Sequence, residues 1–504
     1  MSRTSLLPSV ILTLSVGISG CLPSPDLGPG EGSRTVTGIR QRTYSPPGLD
    51  RFDLPAELSL STVRAFLEAS DGGYGPPLTV SAGTGTFEVK NIPASARYLL
   101  QVEGVSIVDS ADAVDLSELV PGRAGLGDYD LTDPSPATLT LNLGGLAAWS
   151  GQSGLEIVSA GANSWAFLGA LGCPLPTSIA DGAVSLTGWQ IDLKHYQFCG
   201  GNHPIEGTRR KDRVVVAQLE PATSTGGASY LHMTRYLVAP PFDLADGQEQ
   251  VIEGTMTVAA DVRSLSCDVR SSRFAERFPT AVEGLIDGTL IAELDVLGLP
   301  IPTTLGIVDS SSADFLLASL PPSTDVTTGL MTYAKAYADQ FSPLALVRWS
   351  RRVQVALPGA NPVVVATSFL ASWLDEAALC SAPVEPGLGF VEELAISGRD
   401  ALRAQNDVGT DPVLSWSAPS LGSAQRYSVR LLALGAQSTA GGGLATTATV
   451  VGDYRVRGTY LRIPRGVLAT GTSYVAVVTA TTSPGLIEVL PAHQSSLVSS
   501  PFSP

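Results

Sequence analysis

At roughly 150 residues per domain, a chain of 504 residues suggests about three or four domains, and its 44% apolar and 15% charged content excludes disorder driven by charge. Lysine plus arginine number 31 and aspartate plus glutamate 47, a net charge of −16 that repels phosphate backbones and argues against nucleic acid as a partner. Glycine (52) and proline (36) punctuate many short apolar runs, the texture of turn-rich β proteins rather than long-helix proteins.

The chain opens with Arg3 and an apolar run, Leu6 to Ile18, shorter than the ~20 residues that cross a hydrocarbon core, so it reads as an export signal. Pro8 lies inside that run and weakens a helix there. Ile18, Ser19, Gly20 and Cys21 resemble the lipobox of bacterial lipoproteins, in which a branched apolar residue and two small residues precede the lipidated cysteine. The resemblance implies a signal peptide over residues 1–20 and a Cys21 thiol that accepts a diacylglyceryl group. It also implies more than one acyl chain, such as palmitate, which makes anchoring stable. Leu22 rather than Asp follows the cysteine, which favours the outer membrane. An ordinary cleaved signal with a chance cysteine is the plainer alternative. Residues 21–34, with "LPSPDLGPGEGSR" after the cysteine, lack apolar periodicity and read as a tether.

Residues 35–134 alternate apolar and polar side chains with period two: Val63, Ala65 and Leu67, then Phe87 and Val89, then Tyr98, Leu100 and Val102. This predicts half-buried antiparallel strands. "GTFEVKNIPASARYLLQV" resembles the carboxypeptidase regulatory-like (transthyretin-like) sandwich, a spacer or binding module in its family; a generic β-sandwich fits the same residues. Asp109, Asp112 and Asp115, then Asp128, Asp130 and Asp133, offer hard oxygen ligands for calcium in loops. Neither set matches an EF-hand, and solvated loop carboxylates are the simpler reading.

Residues 135–385 keep the β texture as one large or two smaller domains. Leu139, Leu141 and Leu143 share a face, as do Met256, Val258 and Val262, and Val347, Trp349, Val353 and Val355. Tyr333, Tyr337 and Phe341, and likewise Phe369 and Trp373, fall four apart as on a helix, but neither stretch has a convincing N-cap, so helix and strand stay open. "HYQFCGGNH" spaces His195, Cys199 and His203 as zinc ligands would be on a helix, yet two glycines and Asn202 favour a turn and a structural cysteine with two loop histidines. Four cysteines remain after Cys21, an even count suited to an oxidising compartment. Cys173 with Cys199 and Cys267 with Cys380 is the preferred pairing of three possible ones.

Residues 386–504 resemble a fibronectin type III domain. The features that match are Trp416 in the second strand, Tyr427 opening the third, Leu468 before a turn and Tyr474 at the tyrosine corner. Trp416 is large enough to fill an inter-sheet core, and a corner tyrosine can satisfy a loop carbonyl with its hydroxyl. The segment "GAQSTAGGGLATT" reads as a flexible hairpin tip.

The predicted fold is therefore all-β: tandem antiparallel β-sandwiches behind a lipoprotein signal and a tether. Four histidines supply few general bases, and the chain lacks the Gly-x-Ser-x-Gly, His-Glu-x-x-His, Ser-x-x-Lys and Gly-x-x-x-x-Gly-Lys motifs. The expectation is a non-catalytic envelope protein without cofactor, held to the membrane by its N-terminus and presenting modules for adhesion, scaffolding or ligand binding, with an envelope protein or glycan as partner. A membrane-anchored hydrolase, acting on polysaccharide through facing carboxylates in the middle region, is the alternative. A subunit of an envelope complex, with a large exposed apolar patch, is a third reading.

Overall fold

A computed structural model describes residues 32–44, 52–55, 58, 62–70, 73–102, 105–120, 122–169, 174–195, 203–279, 282–285, 288–299, 313–335, 341–373, 376–438, 443–483 and 492–504. The chain is all-β. Among the described residues the helices are Gly207–Arg210, Ser271–Ala275 and Glu376–Leu379, each little more than a turn.

The first sandwich follows the alternation in the sequence. One sheet runs Ala113–Asp115, Ser33–Ile39, Thr86–Pro93, Val80–Gly83, and it faces strands Val63–Glu68, Tyr98–Val102 and Val105–Asp109. Val36, Phe87 and Val89 meet Val63, Ala65, Tyr98, Leu100 and Val102 in one core. Gly38 stands opposite Phe87 in the register, and a Cβ there would lie 1.8 Å from the Phe87 Cζ; the missing side chain lets the ring lie across the strand. The linker read from the sequence ends at Arg34, whereas Ser33 and Arg34 already pair with Pro93 and Ile92.

The second sandwich sets the sheet Leu186–Asp192, Thr138–Gly144, Glu249–Thr255 against strands Gly154–Ser159, Ser164–Gly169 and Val215–Thr223. Leu139, Leu141 and Leu143 pack there against Leu155, Ile157 and Val216. The face assigned to Met256, Val258 and Val262 is not continuous: Met256 is buried, but Val258 and Val262 are 64% and 62% exposed. The chain leaves its strand at Met256, and Val258 then joins a separate short pairing opposite Arg235.

What the sequence does not announce is a single sheet of 17 strands that runs through all parts of the molecule. From Ser164–Gly169 it passes through Gly154–Ser159, Val215–Thr223 and Ser229–Val238, which also pairs with Thr257–Val258, to Ala313–Leu320. It continues through Leu290–Leu299, Ser342–Val355 and Val363–Trp373 to Ala492–Val498. Ser473–Thr481, Arg426–Ser438 and Leu444–Val456 follow. The last lies parallel to Val105–Asp109, and Tyr98–Val102, Val63–Glu68 and Tyr74–Pro77 complete the sheet. The terminal strand carries Pro76 and Pro77, which cannot donate to a further strand.

At the parallel junction Ser106, Ile107 and Val108 stand opposite Tyr454, Arg455 and Val456, and the Arg457 N–H donates to the Val108 carbonyl at 3.2 Å. Leu99 and Val108 turn away from the first sandwich and enter the main core with Tyr454 and Val456. Arg97 pairs with Glu68 at 3.1 Å, donates to the Arg457 and Tyr460 carbonyls, and lies 4.0 Å over the Tyr460 ring. The Tyr74 hydroxyl donates to the Arg462 carbonyl, and Arg457 pairs with Asp109 at 3.4 Å.

The two stretches with helical spacing contain strands. Met331–Ala334 pairs with Val262–Leu265, and Phe369 and Trp373 lie in Val363–Trp373, bonded to strands on both sides. A Val-Val-Val start, the missing cap and a partner at each edge outweigh the four-residue spacing; Tyr337 lies outside the described residues. Val347, Trp349, Val353 and Val355 are all buried.

Cys267 and Cys380 are joined by a disulfide across 113 residues. Cys173, Cys199 and Cys21 lie outside the described residues. In the chain-entropy picture a loop of this length is worth about 4.7 kcal/mol. The Cys267→Ser/Cys380→Ser double variant is expected to lose about 4 kcal/mol, read as a lowered urea midpoint under oxidising conditions.

In the C-terminal part, the sheet Arg399–Asp400, Glu392–Ile396, Val413–Ser417, Tyr460–Arg462 packs on the long strands of the large sheet that precede the parallel junction, Leu414, Trp416 and Leu461 sharing a core with Val429, Leu431 and Val478. Trp416 is buried, its ring centroid 5.4 Å from that of Tyr427, and Leu468 and Tyr474 share the core. The Tyr474 hydroxyl accepts the Ala469 N–H at 2.7 Å instead of donating to a loop carbonyl. Most of the segment read as a flexible tip belongs to strands Arg426–Ser438 and Leu444–Val456. Its far end is clasped by the neighbouring hairpin: Asn361 donates to the Leu444 carbonyl at 2.8 Å and accepts from Thr446 at 2.7 Å.

His493 packs edge-on to Trp373 and against Gly387, and burial pushes its pKa below the ordinary 6.5. A base with a depressed folded-state pKa binds fewer protons folded than unfolded, so its stability contribution is full at neutral pH and falls as pH drops below about 6.5. Replacing it by Phe is expected to flatten that part of the stability profile, measured as the urea midpoint between pH 7.5 and 5.5.

Candidate functional site

Of the residues singled out in the sequence, Asp130, Asp133 and His195 lie at one end of the second sandwich, where three loops meet. The loop over residues 128–135 folds on its own acids. Asp130 accepts the Thr132 N–H at 2.9 Å and its hydroxyl at 2.6 Å, and Asp133 accepts the Ser135 N–H at 2.9 Å. These bonds hold both carboxyls below the usual carboxylate range. At the end of strand Leu186–Asp192, the Asp192 Oδ1 accepts the Ala137, Lys194 and His195 N–H groups, a turn that sends Lys194 inward.

Lys194 is fully buried. Its Nζ donates to the Asp133 carbonyl at 2.7 Å and the Ser135 carbonyl at 3.0 Å, and lies 2.7 Å from Asp246 Oδ1. The Asp246 Oδ2 accepts the Asp130 N–H at 3.2 Å. Two carbonyls and a carboxylate around one cation are the oxygens that a calcium ion would take in a loop of this kind, and here an ammonium occupies their centre. The Tyr129 hydroxyl, buried beside this cluster, has its pKa raised by burial and then by Asp246 and Asp192.

Of the three candidate zinc ligands, Cys199 lies outside the described residues, and the two histidines hold different partners. His195 Nδ1 lies 2.5 Å from Asp192 Oδ2, whereas His203 Nδ1 lies 3.1 Å from Asp128 Oδ1 and 3.2 Å from the Gly127 carbonyl. Among the described residues, no group of three or more His, Cys, Asp or Glu side chains could hold a metal ion. The first acidic set is likewise divided. Asp109 accepts the Ser110 and Ala111 N–H groups and faces Arg457, Asp112 pairs with Arg34, and Asp115 accepts the Ser117 N–H. Because Lys194 already holds the loop carbonyls, millimolar calcium or a chelator is expected to leave the melting temperature unchanged, whereas a bound ion would raise it with concentration.

Lys194 itself escaped the sequence reading. The signal that could have found it is its place two residues after Asp192, in the turn that ends the strand Leu186–Asp192, where an inward lysine needs several acceptors.

A groove of about 540 Å³ lies nearby, lined in part by Thr208, Arg209, Asp243 and Glu249. Asp243 accepts from Thr208 and pairs with Arg209 at 3.3 Å; the Thr208 hydroxyl holds its carboxyl below the usual range. Glu249 accepts the Thr140 hydroxyl at 3.0 Å. A glycosidase carboxyl pair needs one acid that keeps its proton and one that is ionised, and the lowered Asp243 suits only the ionised member.

No family model matches the chain, and no curated protein matches it. Among solved structures it is similar to the native conformation of Escherichia coli alpha-2-macroglobulin, at 12% identity over 94% of this chain and 28% of that one, with a TM-score of 0.13. Salmonella alpha-2-macroglobulin reacted with methylamine matches at 12% identity over 93% and 29%, TM-score 0.14. Escherichia coli alpha-2-macroglobulin activated by porcine elastase matches at 10% over 94% and 44%, TM-score 0.14. The chain spans less than half the length of these proteins, and superpositions this poor carry no argument about its activity.

Proposed function

We propose that the protein is a non-catalytic, lipid-anchored component of the cell envelope, whose β-sandwiches form one body that presents edges and loops to an envelope protein or glycan. The observation that supports this most is the sheet of 17 strands linking first sandwich, middle region and C-terminal part without a break. A body joined by backbone ladders resists relative motion of its modules and suits a scaffold. The side chains with chemical potential are consistent with the same reading: Lys194, Asp246 and Asp192 are spent on holding loops together.

The anchor is tested in cells fed an alkyne analogue of palmitate. Wild-type protein is expected to take up label and to sediment with outer membranes, and Cys21→Ser to lose both. An unlabelled wild-type protein recovered from the soluble fraction would refute the anchor.

A further inference from the structure

Glu249–Thr255 is the outer strand of its sheet. Thr138–Gly144 lies parallel to it on one side, and among the described residues no strand pairs with the other. The Thr138 N–H donates to the Gln248 carbonyl and the Met256 N–H to the Gly144 carbonyl. By the alternation of a parallel ladder, Gln250, Ile252 and Gly254 spend their backbone groups on Thr138–Gly144, while Glu249, Val251 and Glu253 aim theirs outward. The open groove described above runs beside this edge, with Phe242 and Gln250 in its lining.

The side chains on the solvent face repeat acid, apolar, acid. Val251 is 49% exposed between Glu249 and Glu253. Glu249 accepts from Thr140, and Glu253 accepts from Asn142 at 3.2 Å. Those donors are neutral, and among the described residues neither glutamate is in an ion pair; Arg209, in the lining of the same groove, pairs with Asp243 and Glu206.

We propose that this edge takes up an extended segment of a partner protein as an added strand, with basic side chains opposite Glu249 and Glu253 and an apolar one opposite Val251. Backbone pairing supplies the attachment, and the alternating pockets and charges supply the choice of sequence. A second copy of this chain is not the occupant: an antiparallel pairing about Val251 sets Glu249 against Glu253 on a molecule of net charge −16. The site does not depend on membrane attachment and stands or falls separately from it.

The test uses the full chain and two labelled, end-blocked peptides, Thr-Lys-Ala-Val-Ala-Lys-Thr and its counterpart with glutamate in place of lysine. Fluorescence anisotropy is expected to show at least tenfold preference for the basic peptide. Val251→Pro removes an outward N–H and leaves the inner ladder intact, so binding is expected to fall at least tenfold with the melting temperature held. Glu249→Lys with Glu253→Lys is expected to reverse the preference. Bound peptide is also expected to slow hydrogen exchange at the Glu249, Val251 and Glu253 amides. The proposal is overturned by equal affinity for the two peptides, by no binding of either, by a Val251→Pro variant that binds as wild type, or by outward amides already as protected as Ile252 in the free protein.

Discussion

Lys194→Met is expected to destabilise the second sandwich by about 3 kcal/mol, the scale for removing one partner of a buried charged pair. The substitution keeps the apolar stem but strips the Asp133 and Ser135 carbonyls of their donor and leaves Asp246 with no cation, three losses at the point where three loops meet. Asp246→Asn is expected to cost less, because its side chain is 28% exposed and the carbonyls keep the ammonium. Urea denaturation followed by tryptophan fluorescence reads both: Trp149 and Trp189 belong to this core. Equal midpoints for Lys194→Met and wild type would show that the ammonium does not hold the loops.

Val108→Asp should have a larger effect on the molecule as a whole. Val108 is fully buried in the main core, and its carbonyl accepts the Arg457 N–H at the parallel junction. An unpaired carboxylate there costs at least about 4 kcal/mol, more than the junction's polar contacts return. The first sandwich retains its own core around Val63, Phe87 and Leu100, so the expected result is release and not collapse. Limited proteolysis should then cut between that sandwich and the rest within minutes, while the wild type stays whole. A variant as resistant as wild type would count against a load on this junction.

The sequence made the strands legible wherever one face meets a core and the other meets water. Val63 and Ala65, and Phe87 and Val89, alternate with exposed residues because each second residue is buried, whereas in Tyr98–Val102 the intervening Leu99 is buried as well, in the main core. The same rule misplaced Val258 and Val262, since alternation cannot show where a chain leaves its strand. It also left Phe369 and Trp373 ambiguous, because a separation of four puts two side chains on one face of a strand as well as on one face of a helix. The parallel junction was beyond reach: Ser106 to Val108 and Tyr454 to Val456 are some 350 residues apart, and nothing local marks the pairing. At the candidate site the acids and histidines were visible, but their meaning changed once Lys194 stood at the centre of the oxygens, a position that depends on a turn and not on a motif.

The continuity of the large sheet is tested most directly by native-state hydrogen exchange at the junction itself. The Arg457 amide, which donates to Val108, is expected to exchange as slowly as the amides inside Arg426–Ser438, with one shared opening free energy across Val105–Asp109 and Leu444–Val456. Rapid exchange at Arg457 alongside slow exchange within each sandwich would mean that the modules are separate bodies, and the account of a single joined scaffold would fail.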